Sequence, residues 1–406
     1  MVELMSCSNN YYGRRNVVGL ALMNAFRGVV VGGYMALYGL YLAYLGFDMG
    51  VIGLASTIAS LVGATISPSV GYFIEKWGSK LGIVLSGLAL TLASLILVIS
   101  KTLPLLVTSY TLFMISFLMG QVARSVFLVH SIGIEGLGAN VGVTSAVFSI
   151  ARCIGPATAG FIAYSIGFKL AFLFLTASSI IGLIVFQLTT TQPPKETRGE
   201  KYGSLIDAYR QVFKPNPLLR FAYIVTVLDR FGWSLWFPML SAHMYNYGYN
   251  EAIVGLLSTV QSVAQATTLP LLGKLTDKLG STNILMTSEI LAAIATLLLI
   301  NPTPWLRALI AYVLVGLSIA AWIPSFSKLV ALATNGNKLS EAYASVNTIR
   351  IIPSIPAPLM GGVLYDVIGP IAPYGSSAII LTILAIILAK KSKVSKPLSK
   401  HNHINP

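Results

Sequence analysis

Twelve times along this chain a run of about twenty residues passes with almost no charged side chain, the length an α-helix needs to cross a bilayer core. The runs fall near 16–46, 50–74, 80–100, 103–128, 139–164 and 168–190, and again near 217–247, 251–273, 282–301, 304–327, 340–365 and 371–389. Only 10% of the residues are charged and 55% are hydrophobic, with a mean hydropathy of +0.78. An ordinary soluble domain carries about 25% charged residues. Most of this chain therefore belongs in lipid, and the expected class is an all-α membrane protein of twelve transmembrane helices.

One long polar stretch interrupts the series. Residues 191–217 read as a linker between an N-terminal six-helix bundle, 1–190, and a C-terminal one, 218–390, with a basic tail at 391–406. Lysine and arginine accumulate in cytoplasmic loops. Of the 27 in the chain, 19 lie on the face that holds both termini. Only Lys101, Lys169 and Arg307 lie on the other face, so both termini are expected in the cytoplasm, with the protein multi-pass in the plasma membrane. The net charge of +14 is mostly this topological bias, aided by anionic lipid, rather than a sign of nucleic-acid binding. The N-terminal "MVELMSCSNNYYGRRN" lacks the apolar core and cleavage site of a removable leader.

"GYFIEKWGSK", 71–80, returns as "GKLTDKLGST", 273–282, at an offset of 202. Residues 51–80 and 253–282 match at twelve of thirty positions, among them Gly53/Gly255, Thr57/Thr259, Pro68/Pro270 and Gly78/Gly280. The same offset pairs Tyr110 with Tyr312, Pro156 with Pro358, Gly160 with Gly362 and Gly167 with Gly369. A duplicated six-helix unit accounts for this. Such repeats are typical of secondary transporters, whose solute site lies at the repeat interface near mid-membrane.

On these residues the chain resembles the major facilitator superfamily over essentially its whole length. The family's loop signature between spans 2 and 3 is matched by Gly71, Glu75, Lys76, Gly78 and Lys80, and its second copy by Gly273, Asp277, Lys278 and Gly280. The resemblance implies a major facilitator fold and a latch on the cytoplasmic side at both turns, with Lys76 and Lys278 standing where arginine is usual. In span 5, "ARCIGPATAG" resembles the family's antiporter signature through Gly155, Pro156 and Gly160, with Ala151 and Ala159 replacing two glycines. That match points to helix bending and to exchange or export, while a plain helix-packing seam reads the same way. The family's arginine near the start of its span 4 signature is absent. Ser116 stands there, and Arg124 follows two turns later.

Away from the span ends, seven charged residues fall inside the spans: Arg27, Arg124, Arg152, Asp229, Arg230, Glu289 and Arg350. Each costs about 2.5–3.5 kcal/mol at the bilayer centre even on a lenient scale, so they are expected to face protein or water. Helical spacing groups Arg27 with Tyr34 and Tyr38, Gln121 with Arg124, Asp229 with Trp233 and Trp236, and Asn347 with Arg350. With Arg152, and leaving out Asp229, these form the candidate solute-binding set. Asp229, Arg230 and Glu289 form the candidate proton-coupling set. Arg27 and Asp229 are equivalent under the offset, and either a static ion clip or a titrating Asp229 tuned by Arg27 fits that placement.

Five arginines against two acids favour an organic anion, a carboxylate with an apolar body, as the small-molecule solute. Proton-coupled multidrug efflux is the alternative. Cys7 and Cys153 have no disulfide or metal spacing, and no G-x-x-x-x-G-K-[ST] or H-E-x-x-H motif occurs. No cofactor or metal is expected, an enzyme or a transport-dead sensor is disfavoured, and the expected state is a monomer.

Overall fold

A computed structural model describes residues 2–132, 137–193, 216–333 and 339–395. Side chains are described from residue 13 onward, apart from 67, 68, 71, 75, 137–139, 339–344 and 392–395. The linker from 194 to 215 and the tail beyond 395 lie outside the described residues.

Every described element is helical. The first half gives α1 (Val2–Tyr44), α2 (Met49–Trp77), α3 (Ser79–Ile99), α4 (Leu103–Ile132), α5 (Leu137–Ile166) and α6 (Phe168–Thr189). The second gives α7 (Pro217–Ser234), α8 (Leu240–Asn246), α9 (Glu251–Leu279), α10 (Ser281–Leu299), α11 (Trp305–Leu332), α12 (Leu339–Ser354), α13 (Pro356–Ile368) and α14 (Ile371–Ser395). Fourteen helices make twelve spans because two of the expected spans are broken. Span 7 is interrupted by a 3-10 turn, Phe237–Met239, where Pro238 cannot donate to the carbonyl one turn back. Span 11 breaks at Ile355, before Pro356, for the same reason. The spans at 217–247 and 340–365 are thus each carried by two consecutive helices.

The helices are apolar on both faces, as lipid requires. In α6, Ala171, Phe172, Leu175, Leu183 and Phe186 are buried, while Leu173, Ile180, Ile184 and Leu188 are exposed on the other side. Among the described residues eleven segments are long and apolar enough to cross a membrane, Ser345–Ile368 being counted across its break at Ile355. The broken span 7 makes the twelfth.

The repeat is written into the backbone. All the described glycines with positive φ fall into three pairs at the 202 offset: Gly46/Gly248, Gly78/Gly280 and Gly167/Gly369, with φ between 83° and 109°. Each sits at a tight reversal between helices, where a Cβ would be strained. The two apolar cores correspond as well. Leu20, Met23, Ile83, Phe127, Leu128 and Phe186 in the first match Ala222, Val225, Leu285, Leu329, Val330 and Leu388 in the second.

Packing divides the chain into two compact units, Met1–Tyr202 with Pro238–Ser262, and Gly203–Phe237 with Val263–Pro406. The division by repeat, 1–190 against 218–390, is proposed as the unit of duplication.

Candidate functional site

In the first unit, α1 and α5 come together through small residues. A Cβ on Gly28 would strike the Phe148 carbonyl oxygen at 2.5 Å, and one on Gly155 would strike the Val29 carbonyl. Gly155 and Pro156, expected to bend span 5, lie in this seam, and α5 runs through Pro156 unbroken. This close approach sets α1 beside Arg152, which is half-buried on α5.

Arg27 projects from α1 and is buried. Its Nη2 donates to the Ser116 carbonyl at 2.8 Å and to Ser116 Oγ at 3.1 Å, both on α4. Ser116, which stands where the family has arginine, thus receives an arginine from another helix. Arg124 lies close enough to repel Arg27 electrostatically. The two guanidiniums meet at Gly120, where a Cβ would stand 2.8 Å from Arg27 Nη2 and 3.1 Å from Arg124 Nη1. Arg124 stacks over Phe148 at 5.8 Å, and its Nη1 is buried with no hydrogen-bond partner. Spans 1–6 contain no acid, so the notch is electropositive.

Farther along α1, Tyr34 stacks on Phe113 at 4.3 Å and Tyr38 on Tyr110 at 4.7 Å. Tyr34 Oη shares a 2.7 Å hydrogen bond with Ser109, and Tyr38 Oη donates to the Leu106 carbonyl at 3.0 Å. Both rings are buried, so this stack pins α1 to α4. Gln121 is exposed.

Gly160 on α5 meets α9, where a Cβ would stand 3.0 Å from the Gly255 Cα. One turn on, Thr259 Oγ1 donates to the Cys153 carbonyl at 2.8 Å and accepts from the Ala157 N–H at 3.1 Å. A hydroxyl from α9 has entered the i→i−4 ladder of α5. Thr259→Val keeps the shape and removes both bonds, each worth about 1 kcal/mol. With Cys7 changed to Ser, maleimide labelling of Cys153 is therefore expected to quicken about fivefold. An unchanged rate would show that the bonds do not hold α5.

In the second unit, Asn216 begins α7, its side chain accepting from the Leu219 N–H at 2.8 Å, with Pro217 in the first turn. Three turns later Asp229 is 1% exposed, and Arg230 Nε donates to its Oδ2 at 3.2 Å. Asp229 Oδ1 is buried and unpartnered. Arg350, on α12, is within electrostatic reach of both. Trp322, on α11, takes Arg350 at 4.8 Å and Arg230 at 5.5 Å from its ring centre, and stacks on Phe326 at 4.4 Å. Cation–π contact of this kind places two positive charges beside one carboxylate. Glu289, on α10, is 0% exposed, has both carboxylate oxygens unpartnered, and interacts with Asp229 and Arg230. Trp233 and Trp236 are buried and stack at 5.2 Å, and Asn347 is exposed.

Sequence reading brought Asp229, Arg230 and Arg350 forward but missed Trp322, Gly120 and Thr259. Trp322 carried a usable signal. It lies four residues from Phe326 on span 10, an aromatic pair at helical spacing.

At the two latch turns, Gly78 and Gly280 adopt φ of 97° and 87°. Lys76 lies over Tyr72 and Trp77 at 5.9 and 5.8 Å. The backbones of Gly71 and Glu75 continue α2, and their side chains lie outside what is described. Lys80 Nζ donates to the Thr190 carbonyl at 2.6 Å, and Arg15 to Thr189 and Leu188, so cations cap the end of α6. Gly273 is uncrowded in α9. Asp277 pairs not with the adjacent Lys278 but with Lys328 of α11, at 2.8 Å. Asp277 is 76% exposed, so its removal should cost under about 1 kcal/mol of stability. Asp277→Ala and Lys328→Ala are expected to slow transport alike, with the double variant no slower than either. Additive slowing in solute flux would separate the two residues.

The Major Facilitator Superfamily model matches residues 20–228 and 222–404. Multidrug resistance protein 1 of Bacillus subtilis (strain 168) is 22% identical over 304 residues, covering 74% of this chain and 77% of the relative. The multi-drug resistance efflux pump PmrA of Streptococcus pneumoniae serotype 4 is 23% identical over 317 residues, 76% of this chain and 78% of that one. In fold, the crystal structure of the nucleoside transporter NupG superposes with a TM-score of 0.72 at 13% identity, covering 93% of this chain and 98% of that chain. The peptide transporter POT in complex with sulfate gives 0.72 at 14%, covering 94% of each. Two matched halves, a duplicated helical unit and buried charge within apolar spans agree: this multi-pass membrane protein belongs to the major facilitator superfamily and is a transporter rather than an enzyme.

Proposed function

We propose that the chain exports an amphipathic organic anion in exchange for protons, by alternating access. The observation that carries the solute class is the Arg27–Arg124 notch at Gly120, two guanidiniums with an unpartnered Nη1 and no acid in the same six spans. Arginine binds carboxylate in a bidentate manner, and Phe148 supplies an apolar neighbour. Proton coupling is supported by Asp229, buried beside Arg230 and Arg350 in the second unit.

The relatives favour a second reading. Proteins named for multidrug resistance and efflux match most of the chain, which supports export and more than one drug as solute. The two readings part on charge. Purified protein in liposomes with an imposed pH gradient should accumulate aromatic carboxylates in preference to their neutral amides. Equal transport of carboxylates, amides and lipophilic cations would replace the anion reading with the multidrug one. No response to the gradient would end proton coupling. The cytoplasmic termini, the plasma membrane and the monomer belong to the same proposal, and reporter fusions at each terminus test the orientation.

A further inference from the structure

Among the described residues, Glu289 is the buried acid with least around it to balance a charge. It lies nine residues into α10, is fully buried, and neither carboxylate oxygen has a hydrogen-bond partner. An isolated carboxylate in an apolar interior costs so much that the group takes a proton instead. Asp229 differs: it has Arg230 at 3.2 Å.

The surroundings restrict what else could balance Glu289. α10 packs against α11 and α14. On α11 the neighbouring level is marked by Ser318, whose carbonyl accepts from Ser288 Oγ at 2.9 Å. The charged residues of α11, Arg307 and Lys328, stand about 15 Å from that level, at ten or eleven residues of helix. α14 carries Tyr374 towards one end and Lys390 and Lys391 at the other. From α7, Asp229 and Arg230 are the charges that reach Glu289. Among the described residues, Arg230 is therefore the cation it can gain.

We propose that Glu289 is a second proton-binding residue of the transport cycle, exchanging one proton with Asp229 as Arg230 moves between them. In the state described, Glu289 is the neutral acid and Asp229 the carboxylate paired with Arg230. In the other, the proton sits on an Asp229 oxygen and Arg230 pairs with an ionised Glu289. One proton leaves a glutamate oxygen and one arrives on an aspartate oxygen, while the guanidinium crosses in the opposite sense. The net charge of the cluster is the same in both states, and when Asp229 is neutral Arg350 keeps its cation contact with Trp322. Trp322 suits the crossing. Its ring lies under Arg230 and Arg350 together, a surface along which a guanidinium can shift without losing cation contact.

The transport arm of the test rests on the proton coupling proposed above, and the spectroscopic arm does not. Difference infrared spectroscopy of the reconstituted protein at neutral pH should show the carbonyl band of a protonated carboxylic acid, lost in Glu289→Gln. Glutamine resembles the neutral acid, so the melting temperature of Glu289→Gln should stay level or rise. Its gradient-driven transport should nevertheless fall at least about tenfold, with downhill exchange retained. Glu289→Asp should restore part of the coupling, which a purely structural role would not do. Absence of the band in the wild type, or full gradient coupling in Glu289→Gln, would overturn the proposal. A wild type that shows the band but ignores the pH gradient would reject proton-coupled export while leaving Glu289 as a proton carrier.

Discussion

Asp229→Asn is expected to lose pH-driven accumulation almost completely while still exchanging solute down its gradient. Asparagine keeps the shape and the hydrogen-bonding reach of Asp229 but cannot alternate between charged and neutral forms. Arg230 and Arg350, both over Trp322, then face one carboxyl group fewer. Breaking a buried ion pair costs about 3–5 kcal/mol, and the loss is smaller here because the Arg230 side chain is 30% exposed. The variant should therefore fold, with a lowered melting temperature. At least about a hundredfold less accumulation against a gradient is expected, beside near-normal counterflow. If Asp229→Asn accumulates solute normally, coupling does not run through this carboxylate.

Arg27→Met carries the second large effect, and its sign on stability is informative. The wild-type guanidinium loses its hydration on burial, is repelled by Arg124, and is held by bonds of 2.8 and 3.1 Å to Ser116. Bonds to a charged group contribute about 1.5–3 kcal/mol. Replacing a buried charge with an apolar group of similar volume is often neutral or stabilising. Stability should hold level or rise, while affinity for a carboxylate solute falls at least about tenfold, the equivalent of about 1.4 kcal/mol. The neutral amide of the same solute should be moved as before. A collapsed fold in Arg27→Met, with carboxylate and amide equally affected, would make Arg27 a structural clip.

Much of the architecture was legible because it repeats. The offset of 202 foretold paired turns, and the backbone places positive-φ glycines at those positions. The broken spans were not legible. Pro156, Pro270 and Pro324 sit within continuous helices, whereas Pro238 and Pro356 coincide with breaks. A proline frees a carbonyl wherever it occurs, and whether the helix survives depends on neighbours that re-satisfy it. That is tertiary information.

The charged residues were easy to find, and their partners were not. Arg27 meets Ser116 and Asp277 meets Lys328 across 89 and 51 residues, pairings no local spacing encodes. Thr259 looked like one more small polar residue in the repeat until its hydroxyl was seen inside the ladder of α5.

The distance in sequence between Arg27 and Ser116 also bears on how the protein is made. The first span, 16–46, leaves the ribosome with a buried-type arginine and no acid of its own, while the acceptor of that arginine lies 89 residues downstream. At about 5–20 residues per second, that acceptor follows roughly 4–18 seconds later. For that interval α1 alone bears the cost of placing an arginine in hydrocarbon, about 2.5–3.5 kcal/mol on the insertion scale. Its long apolar remainder can carry that load, but only narrowly if further charge is added. Nascent chains stalled before residue 116 should hold α1 loosely in the membrane, extractable by alkali, and those stalled after α4 has emerged should hold it firmly.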